Sequence, residues 1–489
     1  MVFEKRKAGV LLPVFSLPSK YGIGTFGKEA YNFIDKLKAG KHSYWQVLPH
    51  GPTGFGDSPY MAYSTFAGNA YFIDLDILGK KKLLTKEELK GAKWSGNRID
   101  YGYIFNTRYS ILRTAHGRFV DKGGEASAAY RAFVRKNTEW LEDYALFMSL
   151  KEANGYGAWY TWPEEHKRIE NAQKVRKNFT RGRSFWKWVQ FEFDSQWQAL
   201  HAYAAAQGIL VIGDMPIYVA HDSMDVWQSP EQFLLDDEYN PTVVAGCPPD
   251  DFAPYGQLWG NPIYNWEKMK TDGFSWWSKR VKSAMRLYDI IRIDHFRGFA
   301  GFYSIPYGHI TAREGKWNSA PGIELFKKIK EDHPKVKIIA EDLGFITDDV
   351  RALLTDTGFP GMKMLQFAFF DDESEHLPRK YTTDNCVVYT SSHDSDCSRS
   401  WCASLKGDVR RRFMRECPRN KNQSRTADLI DLAMKSRANL AVIPIQDYLE
   451  QTNAEGRINI PSVADENWCY RLSSRYNSAK LAEKNRIRY

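Results

Sequence analysis

The sequence has 489 residues, but it contains little cysteine and no long apolar run. Its six cysteines include no CxxC pair, and a chain of this length does not need disulfides to stabilise its core. Reduced thiols are therefore favoured over a disulfide framework or a zinc site. No run of about 18 apolar residues occurs, so no transmembrane helix is predicted. The apolar run at 10–15 has no A-x-A cleavage site behind it, and we interpret it as a strand of a cytoplasmic protein rather than a signal peptide.

The motifs of common metal and nucleotide sites are also missing. The segment HDSD (393–396) has no HExxH, HxxxH or EF-hand spacing around it. No glycine-rich phosphate loop follows a strand-like run, since GYGAWY (155–160) does not fit one. We therefore expect neither a metal nor an organic cofactor.

Basic residues are in moderate excess, because 68 lysines and arginines face 59 acidic residues and give a formal charge of +9. They concentrate late in the chain, above all in RRRFMRECPRNKNQSR (410–425). A nucleic-acid surface is one interpretation of this run, but no aromatic-rich RNA signature accompanies it. A solvated surface is the more common meaning of a charge run, and we expect no nucleic-acid partner.

Short apolar runs of strand length recur along the chain, and many end on a polar or acidic residue. They are apolar throughout rather than alternating, which is typical of parallel strands that are buried on both faces. Helical segments separate them, so the order of elements indicates an α/β class, and eight units indicate a closed (β/α)8 TIM barrel. The eight candidate strands are 8–16, 43–50, 209–216, 290–295, 336–344, 362–370, 386–394 and 440–447.

Two intervals between these runs are too long for one crossover helix. We assign 1–489 to a single barrel and treat the intervals as insertions at its C-terminal face, where such barrels place their active sites. The first insertion, 70–180, lies between strands two and three and is predicted to be mainly helical. The second, 217–275, lies between strands three and four and contains the loop 248–261.

Four of the predicted strands end on carboxylates, namely Asp214, Asp294, Glu341 and Asp394. A single acidic residue in such a place often caps the following helix, and for one residue alone that is the better explanation. Four carboxylates on separate strands of one barrel would point into the same mouth. Burying them together is costly unless they are paired or used, so we interpret them as a candidate catalytic site.

The neighbours of two of these carboxylates predict opposite protonation states. Arg292 lies two residues before Asp294 on the same face of the strand, and its guanidinium would keep the aspartate ionised, as a nucleophile requires. Glu341 follows the apolar residues 338–340, which would raise its pKa toward that of a general acid. Such a pair of carboxyl groups is what glycoside cleavage uses.

Aromatic side chains make up 15% of the residues and include 16 tryptophans. Most of them must lie in the core, but aromatic rings also stack on sugar rings, and Tyr60, Tyr255 and Trp259 lie in loop contexts. His295 and His393 flank two of the carboxylates and can donate hydrogen bonds to a hydroxylated ligand. The alternative for each histidine is a side chain at the rim that bonds to a neighbouring loop.

Several segments carry these residues. Three of them are IRIDHFRGF (291–299), IIAEDLG (338–344) and YTSSHDSD (389–396). The others are YGIGTFG (21–27), WQVLPHGPTGFGDSPYMAYSTFAGN (45–69), GDMPIYVAHDSMDVW (213–227), PPDDFAPYGQLWGNPIYNW (248–266), GMKMLQFAF (361–369), PIQDYL (444–449) and GRINIPSVADENWCYRL (456–472). In their order along the sequence, these segments make the chain resemble the 4-α-glucanotransferases nearly from end to end. These are the amylomaltases or disproportionating enzymes of glycoside hydrolase family 77, in the α-amylase clan.

The resemblance implies an enzyme that transfers α-1,4-glucan segments between maltooligosaccharides, with glucose as an acceptor, by a retaining double displacement and without a cofactor. Asp294 would be the nucleophile, Glu341 the acid/base, and Asp394 the residue that holds hydroxyls of the distorted sugar. The positions implied to bind substrate are Ser58, Tyr60, Asp214, Asp250, Gln257, Trp259, Arg292, His295, His393 and Asn459. Exclusion of water from the glycosyl-enzyme separates transfer from hydrolysis. The resemblance implies that the loop 248–261 excludes water by acting as an active-site lid.

The chain departs from the family pattern around Asp394. The segment that usually reads GTHDND is SSHDSD here, so Ser391, Ser392 and Ser395 replace glycine, threonine and asparagine. Cys397 stands where threonine is usual. The histidine and both aspartates of the segment remain, and we expect the central chemistry to be retained.

Two other functions are compatible with parts of this pattern. An α-1,4-glucan hydrolase of the same clan would use the same residues and differ in the access of water. A non-catalytic glucan-binding protein would keep the barrel but would be expected to lose Asp294 or Glu341, and both are present.

Overall fold

A computed structural model describes residues 2–3, 5–54, 56–249, 254–344, 346–461, 463 and 466–484. Twelve strands occur in this part of the chain. They are β1 (Lys7–Leu11), β2 (Tyr44–Gln46), β3 (Leu210–Met215), β4 (Val243–Cys247), β5 (Gln257–Pro262), β6 (Ile290–Ile293), β7 (Gly301–Pro306), β8 (Lys316–Ser319), β9 (Ile338–Ala340), β10 (Gly361–Met364), β11 (Cys386–Tyr389) and β12 (Leu440–Pro444).

Eight of these strands form one parallel sheet in the order β10-β11-β12-β1-β2-β3-β6-β9. Its two outer strands meet where the Ala340 N–H donates to the Pro360 carbonyl oxygen at 3.0 Å, so the sheet is nearly closed into a barrel. Each strand overlaps one of the eight predicted apolar runs, and the predicted (β/α)8 TIM barrel is confirmed. The strands are shorter than the runs, because the apolar sequence continues into the loops. For example, β10 ends at Met364, and a 3-10 turn follows it at Leu365–Phe367.

A second, antiparallel sheet has the strand order β5-β4-β7-β8 and was not among the predicted elements. Two of its strands lie in the interval 217–275, and the other two follow barrel strand β6. Three of these strands, β5, β7 and β8, contain polar residues, so a search for continuous apolar runs does not detect them. The edge strand β8, for example, reads KWNS, and three of its four residues are exposed.

The helices are α1 (Lys28–Ala39), α2 (Leu75–Lys80), α3 (Lys86–Gly91), α4 (Tyr101–Asp121), α5 (Ala128–Lys136), α6 (Thr138–Ala153), α7 (Glu164–Lys167), α8 (Ile169–Val175), α9 (Thr180–Ala206), α10 (Met224–Gln228), α11 (Trp266–Thr271), α12 (Ser275–Leu287), α13 (Gly322–Asp332), α14 (Asp348–Thr357), α15 (Ser398–Ser404), α16 (Gly407–Glu416), α17 (Arg425–Lys435), α18 (Ile445–Tyr448), α19 (Asn453–Gly456) and α20 (Ala479–Lys484). Helices α2 to α8 occupy the interval 70–180, and α9 leads back into barrel strand β3. Among the described residues, no helix has the length and apolarity that a membrane crossing needs.

The late basic run lies largely on α16, and several of its arginines pair with acidic side chains of the same chain. Arg412 Nε lies 3.3 Å from Asp372 Oδ2, and Arg415 binds the other oxygen of that carboxylate. Arg379 Nε lies 3.1 Å from Glu416 Oε2, at the end of the helix. These ion pairs agree with the predicted solvated surface.

His50 is buried in a cluster of aromatic rings next to the barrel. Its ring centroid lies 4.5 Å from that of Trp197, 5.3 Å from that of Tyr288 and 5.6 Å from that of Phe72. Within the described part of the chain, neither ring nitrogen has a hydrogen-bond partner. Burial lowers the pKa of the imidazole to about 3, so the folded state strongly favours the neutral ring.

We expect His50 to make the folded protein sensitive to acid. Its folded pKa lies below the unfolded value of about 6.5, so the stability that it contributes is complete above that pH and is lost as the pH falls toward 3. His50→Leu should therefore reduce the loss of unfolding free energy between pH 7 and pH 4 by about 3 kcal/mol. Denaturant unfolding of both proteins at the two pH values measures this difference. His309→Leu, at a partly exposed site, is the control and should leave the loss unchanged. Equal acid sensitivity of the wild type and His50→Leu would contradict the prediction.

Candidate active site

Three carboxylates lie at the carboxyl ends of adjacent barrel strands. Asp214 is the fifth residue of β3, Asp294 directly follows β6, and Glu341 directly follows β9. The sheet places these three strands side by side. Asp394 lies in the loop after β11. Because the carboxyl ends of parallel barrel strands open onto one face, all four carboxylates belong to the same mouth.

Arg292 joins two of these carboxylates. It lies on β6 directly opposite Asp214 of β3 in the register of the sheet. Its Nη1 donates to both carboxylate oxygens of Asp214 at 2.7 Å and to Asp294 Oδ1 at 3.0 Å. The Arg292 and Asp214 side chains are 5% and 0% exposed, whereas the Asp294 side chain is 27% exposed. A buried cation is thus shared between an enclosed carboxylate and one that is open to a ligand.

Several opposing effects set the protonation of Asp294. Burial raises its pKa to about 6, Arg292 acts to lower it, and the charges of Asp214 and Asp394 act to raise it. Arg292 thus favours the ionised form of Asp294, as predicted, but burial and the neighbouring carboxylates outweigh it and place the pKa above its ordinary value.

Two backbone N–H groups hold the Glu341 carboxyl group. His295 donates to Oε2 at 2.6 Å, and Leu343 donates to Oε1 at 2.9 Å. His295 has a left-handed backbone conformation (φ 49°), which is uncommon for a residue other than glycine and is often found at functional sites. Burial raises the pKa of Glu341 to about 7, and the charge of Asp294 acts in the same direction. Burial and the neighbouring negative charge thus both favour the protonated form of Glu341.

Asp394 has an environment that stabilises its ionised form. Asn459 Nδ2 donates to Oδ1 at 2.7 Å, and His393 Nε2 lies 3.1 Å from Oδ2. Burial acts to raise the pKa of Asp394, but the charge and hydrogen bond of His393 and the hydrogen bond of Asn459 outweigh it and lower the pKa to about 2. Because the Asp394 side chain is still 42% exposed, it presents a lasting negative charge to a ligand.

Tyr60 connects Asp214 of strand β3 with His393 in the loop after β11. Its hydroxyl donates to Asp214 Oδ2 at 2.9 Å and lies 2.8 Å from His393 Nε2. Ser58 Oγ accepts a hydrogen bond from the Tyr60 N–H at 3.2 Å. The structure thus brings Tyr60, Asp214 and His393 together, and it connects Ser58 to them through Tyr60.

Gln257 and Trp259 lie on β5, at the edge of the antiparallel sheet. Trp259 Nε1 donates to Gln257 Oε1 at 3.0 Å. The indole meets the His295 ring edge to face, with ring centroids 4.8 Å apart. Burial lowers the pKa of His295 to about 4, so its ring is neutral at pH 7. The strand β5 therefore contacts the loop that follows the Asp294 strand.

The remaining predicted glucan contacts lie elsewhere. Asp250 is outside the described residues, together with part of the predicted lid loop 248–261. Tyr255 is 60% exposed, and its ring lies under the guanidinium of Arg313 at 4.5 Å. Its carbonyl oxygen accepts a hydrogen bond from the Ala312 N–H at 2.9 Å, so Tyr255 packs on the β7–β8 hairpin.

The three serines that depart from the family pattern form hydrogen bonds within or beneath the loop after β11. Ser392 Oγ accepts from the Asp394 N–H at 3.2 Å, and Ser395 Oγ accepts from the Ser392 N–H at 2.7 Å. Ser391 Oγ donates to Asp447 Oδ2 at 2.6 Å. Their hydroxyls therefore stabilise the loop that bears Asp394.

Two further residues of the site have no distinct sequence signal. Arg457 donates from Nη2 to the Asp394 carbonyl oxygen at 2.9 Å, and its Nη1 binds the Asp396 carboxylate. Trp468 lies with its ring centroid 6.2 Å from that of His393. Both belong to the last segment that resembles the family, but nothing in their spacing or residue type separates them from their neighbours before the fold is known.

The donors around the carboxylates are nitrogen and hydroxyl groups of the protein. Among the described residues, no group of three or more His, Cys, Asp or Glu side chains is arranged to hold a metal ion. Arginine, asparagine, tyrosine and backbone N–H groups instead bond to the carboxylates of the mouth. The arrangement is suited to proton transfer and to binding hydroxyl groups.

Sequence comparisons give one consistent family. A family model described as 4-alpha-glucanotransferase matches residues 12–477. The 4-alpha-glucanotransferase of Clostridium butyricum is 43% identical over 478 residues, which cover 96% of this chain and 97% of that protein. The 4-alpha-glucanotransferase of Thermus thermophilus is 44% identical over 481 residues, which cover 96% of this chain and 95% of that protein.

Structural comparisons give the same family. An amylomaltase from Streptococcus agalactiae, solved in complex with acarbose, matches with a TM-score of 0.94 and 37% identity over 99% of both chains. An amylomaltase from Corynebacterium glutamicum shares the fold with a TM-score of 0.76 and 16% identity, over 99% of this chain and 75% of that chain. Since the family model spans nearly the whole chain and full-length relatives exceed 40% identity, the chain belongs to the 4-alpha-glucanotransferase family, glycoside hydrolase family 77.

Proposed function

We propose that this chain transfers α-1,4-glucan segments between maltooligosaccharides by a retaining double displacement. The observation that carries the proposal is a pair of carboxyl groups, Asp294 and Glu341, that directly follow adjacent barrel strands. Arg292 binds the first, and two backbone N–H groups hold the second. A nucleophile must be ionised and a general acid must be protonated. Arg292 favours the ionised form of Asp294, whereas burial and the charge of Asp294 favour the protonated form of Glu341, so we assign the proton of the pair to Glu341.

In the proposed first step, a carboxylate oxygen of Asp294 attacks the anomeric carbon of the donor glucan. The glycosidic C–O bond breaks, and the proton of Glu341 passes to the leaving oxygen. The reducing-end fragment then leaves, and the rest of the donor stays bound to Asp294 as a covalent ester.

In the proposed second step, the Glu341 carboxylate takes the proton from the 4-hydroxyl of an acceptor sugar. That oxygen attacks the anomeric carbon, and the ester bond to Asp294 breaks. Two inversions give net retention, and both carboxyl groups return to their starting states. The N–H groups of His295 and Leu343 hold Glu341 in place for both proton transfers.

Asp394 is proposed to bind hydroxyls of the donor sugar and to stabilise positive charge in the transition state. Its low pKa and exposed side chain support this role, because the carboxylate stays charged while it is accessible to the ligand. The contacts of His393 and Asn459 with the Asp394 carboxylate stabilise its ionised form. Tyr60 and Arg292 bind the enclosed Asp214 and so stabilise the floor of the mouth.

Gln257, Trp259 and His295 are proposed to contact the glucan beside the nucleophile, because β5 packs on the loop after β6. Ser58 is assigned an indirect role through Tyr60. A glucan contact at Asp250 and the lid function of 248–261 stay predictions.

The α-glucan substrate class and the preference for transfer over hydrolysis have separate support. The family and its full-length relatives are 4-alpha-glucanotransferases, which favours transfer. The Streptococcus agalactiae amylomaltase was solved in complex with acarbose, which supports a saccharide ligand for this chain. Maltooligosaccharides as donors, with maltooligosaccharides or glucose as acceptors, are the finer assignment that we propose.

Incubation of the purified protein with maltotriose alone tests this proposal. We expect a ladder of shorter and longer oligomers with a constant number of reducing ends, because each transfer breaks one glycosidic bond and forms another. Chromatography gives the ladder, and a reducing-end assay gives the count. Glucose and maltose with rising reducing ends would instead establish a hydrolase. Maltotriose that stays unchanged at high enzyme concentration would refute the proposal and favour a glucan-binding protein.

A further inference from the structure

Asp447 lies beneath the loop that bears His393 and Asp394. It belongs to α18, the short helix that follows the last barrel strand, and its side chain is fully buried. The loop runs from Thr390, directly after β11, to Ser398, the first residue of α15. A carboxylate that bonds to both of these residues fixes where the loop leaves the barrel and where it returns.

Four hydrogen bonds reach the Asp447 carboxylate, and all four donors lie at the two ends of this loop. Oδ2 accepts from Thr390 Oγ1 at 2.6 Å, from Ser391 Oγ at 2.6 Å and from Ser398 Oγ at 2.7 Å. Oδ1 accepts from the Ser398 N–H at 2.8 Å. The three donor residues are at most 2% exposed. O–H···O distances of this length are typical of an ionised acceptor.

Two opposing effects act on the charge of Asp447. The Ser398 N–H can only donate, and an ionised carboxylate can accept all four hydrogen bonds. Burial raises the pKa of Asp447, and the hydrogen bonds of Ser391, Ser398 and Thr390 oppose that effect. The loop and the buried carboxylate therefore stabilise each other.

We propose that Asp447 is a positioning residue for the transfer reaction, which sets the location of His393 and Asp394 relative to the nucleophile by holding both ends of their loop. The inference rests on the proposed role of Asp394 in the transition state. Asp447 acts without touching the substrate, through the three hydroxyl side chains that bond to it.

Ser391 Oγ gives one of the three hydroxyl hydrogen bonds that Asp447 Oδ2 accepts. Its contribution to the reaction should therefore depend on the carboxylate beneath it.

The main test is Asp447→Asn. The amide replaces one acceptor oxygen by an NH2 group that faces donors, so at least one of the four hydrogen bonds is lost. We expect kcat for maltotriose disproportionation to fall about 10- to 100-fold, because small misplacements of catalytic groups have effects of that size. KM should change by less than about threefold, since the groups that bind substrate are retained.

Asp225→Asn is the matched control. Asp225 is also buried, at 1% exposure, and accepts hydrogen bonds from Thr65 Oγ1 at 2.6 Å and the Thr65 N–H at 2.9 Å, in a different loop. It should lose thermal stability as Asp447→Asn does, but it should keep kcat within about threefold of wild type. A fall in kcat as large in Asp225→Asn as in Asp447→Asn would overturn the inference, because both effects would then reflect a general loss of packing.

Ser391→Ala gives a second, independent test that also applies if Asp447→Asn does not fold. It should lower kcat by about threefold, whereas Ser436→Ala, which removes another buried serine hydroxyl, should not. In the Asp447→Asn background the Ser391→Ala change should have no further effect, since the two act through one hydrogen bond. Wild-type kcat in both Asp447→Asn and Ser391→Ala would overturn the inference. Asp394→Asn separates this failure from that of the proposed function, because an active Asp394→Asn would contradict the proposed role of Asp394 itself.

Discussion

Replacing Asp294 with asparagine should lower the rate of maltotriose disproportionation by about 10⁴-fold or more and leave the fold intact. The amide cannot act as the anionic nucleophile, so the covalent ester does not form. Its oxygen can still accept the hydrogen bond from Arg292, which keeps the buried cation paired. Product formation over long incubations measures the rate, and circular dichroism with thermal unfolding checks the fold.

Asp289→Asn is the control for this change, because Asp289 directly precedes β6 whereas Asp294 directly follows it. Asp289 accepts hydrogen bonds from the Val211 N–H at 2.7 Å, and its Oδ2 lies 2.9 Å from His201 Nε2, at the opposite end of the barrel. Substitution there should affect stability but not turnover, since the active sites of such barrels lie at the C-terminal face. Near-normal turnover by Asp294→Asn would mean that the nucleophile is a different residue.

Glu341→Gln should lower transfer from maltotriose by about 10³- to 10⁴-fold, because the leaving oxygen then receives no proton. With α-maltosyl fluoride as donor, however, the first step should be restored, since fluoride leaves without protonation. The second step still needs a base to activate the acceptor, so the glycosyl-enzyme should accumulate. Mass spectrometry of the intact protein should show an added maltosyl group, and peptide mapping should place it on Asp294.

The same donor distinguishes the two carboxyl groups. Asp294→Asn should gain neither activity nor mass with α-maltosyl fluoride, because it lacks the atom that forms the ester.

Glu192→Gln is the control for the loss of a buried glutamate in Glu341→Gln. Glu192 lies in helix α9, and its side chain is 1% exposed in an ion pair with Lys81. It should keep normal turnover. Full activity of Glu341→Gln on maltotriose would remove Glu341 from the mechanism.

The barrel could be predicted from the sequence because its strands have a strong signal. They are parallel strands of the barrel, and continuous apolar runs such as Leu440–Pro444 are distinctive in this chain. The antiparallel sheet could not be predicted in the same way. Its strand β8 is mostly exposed, and its pairing with β7 depends on a hairpin whose polar residues resemble those of an ordinary loop.

The sequence predicted those residues of the candidate active site that directly follow barrel strands. Asp294 and Glu341 directly follow barrel strands, and the rule that such ends face one mouth brings them together. The sharing of Arg292 between two aspartates was not predictable, because it depends on the register that pairs Arg292 with Asp214 across β3 and β6. Tyr60 and Asn459 come from distant loops. The loop context of an aromatic residue indicated Tyr60, whereas only the resemblance to the family indicated Asn459.

The groups that surround Asp394 come from both ends of the sequence. Tyr60 bonds to its neighbouring histidine from near the start, whereas Arg457 and Asn459 approach from the last part of the chain. During synthesis on the ribosome, Asp294 and its barrel strand are therefore complete long before Asn459 has been added. Domains generally fold as units, and the first strand of this barrel pairs with the last one, so the contacts around Asp394 form only after the final segments have left the ribosome. We therefore expect a nascent chain that ends before Asn459 to lack glucan turnover.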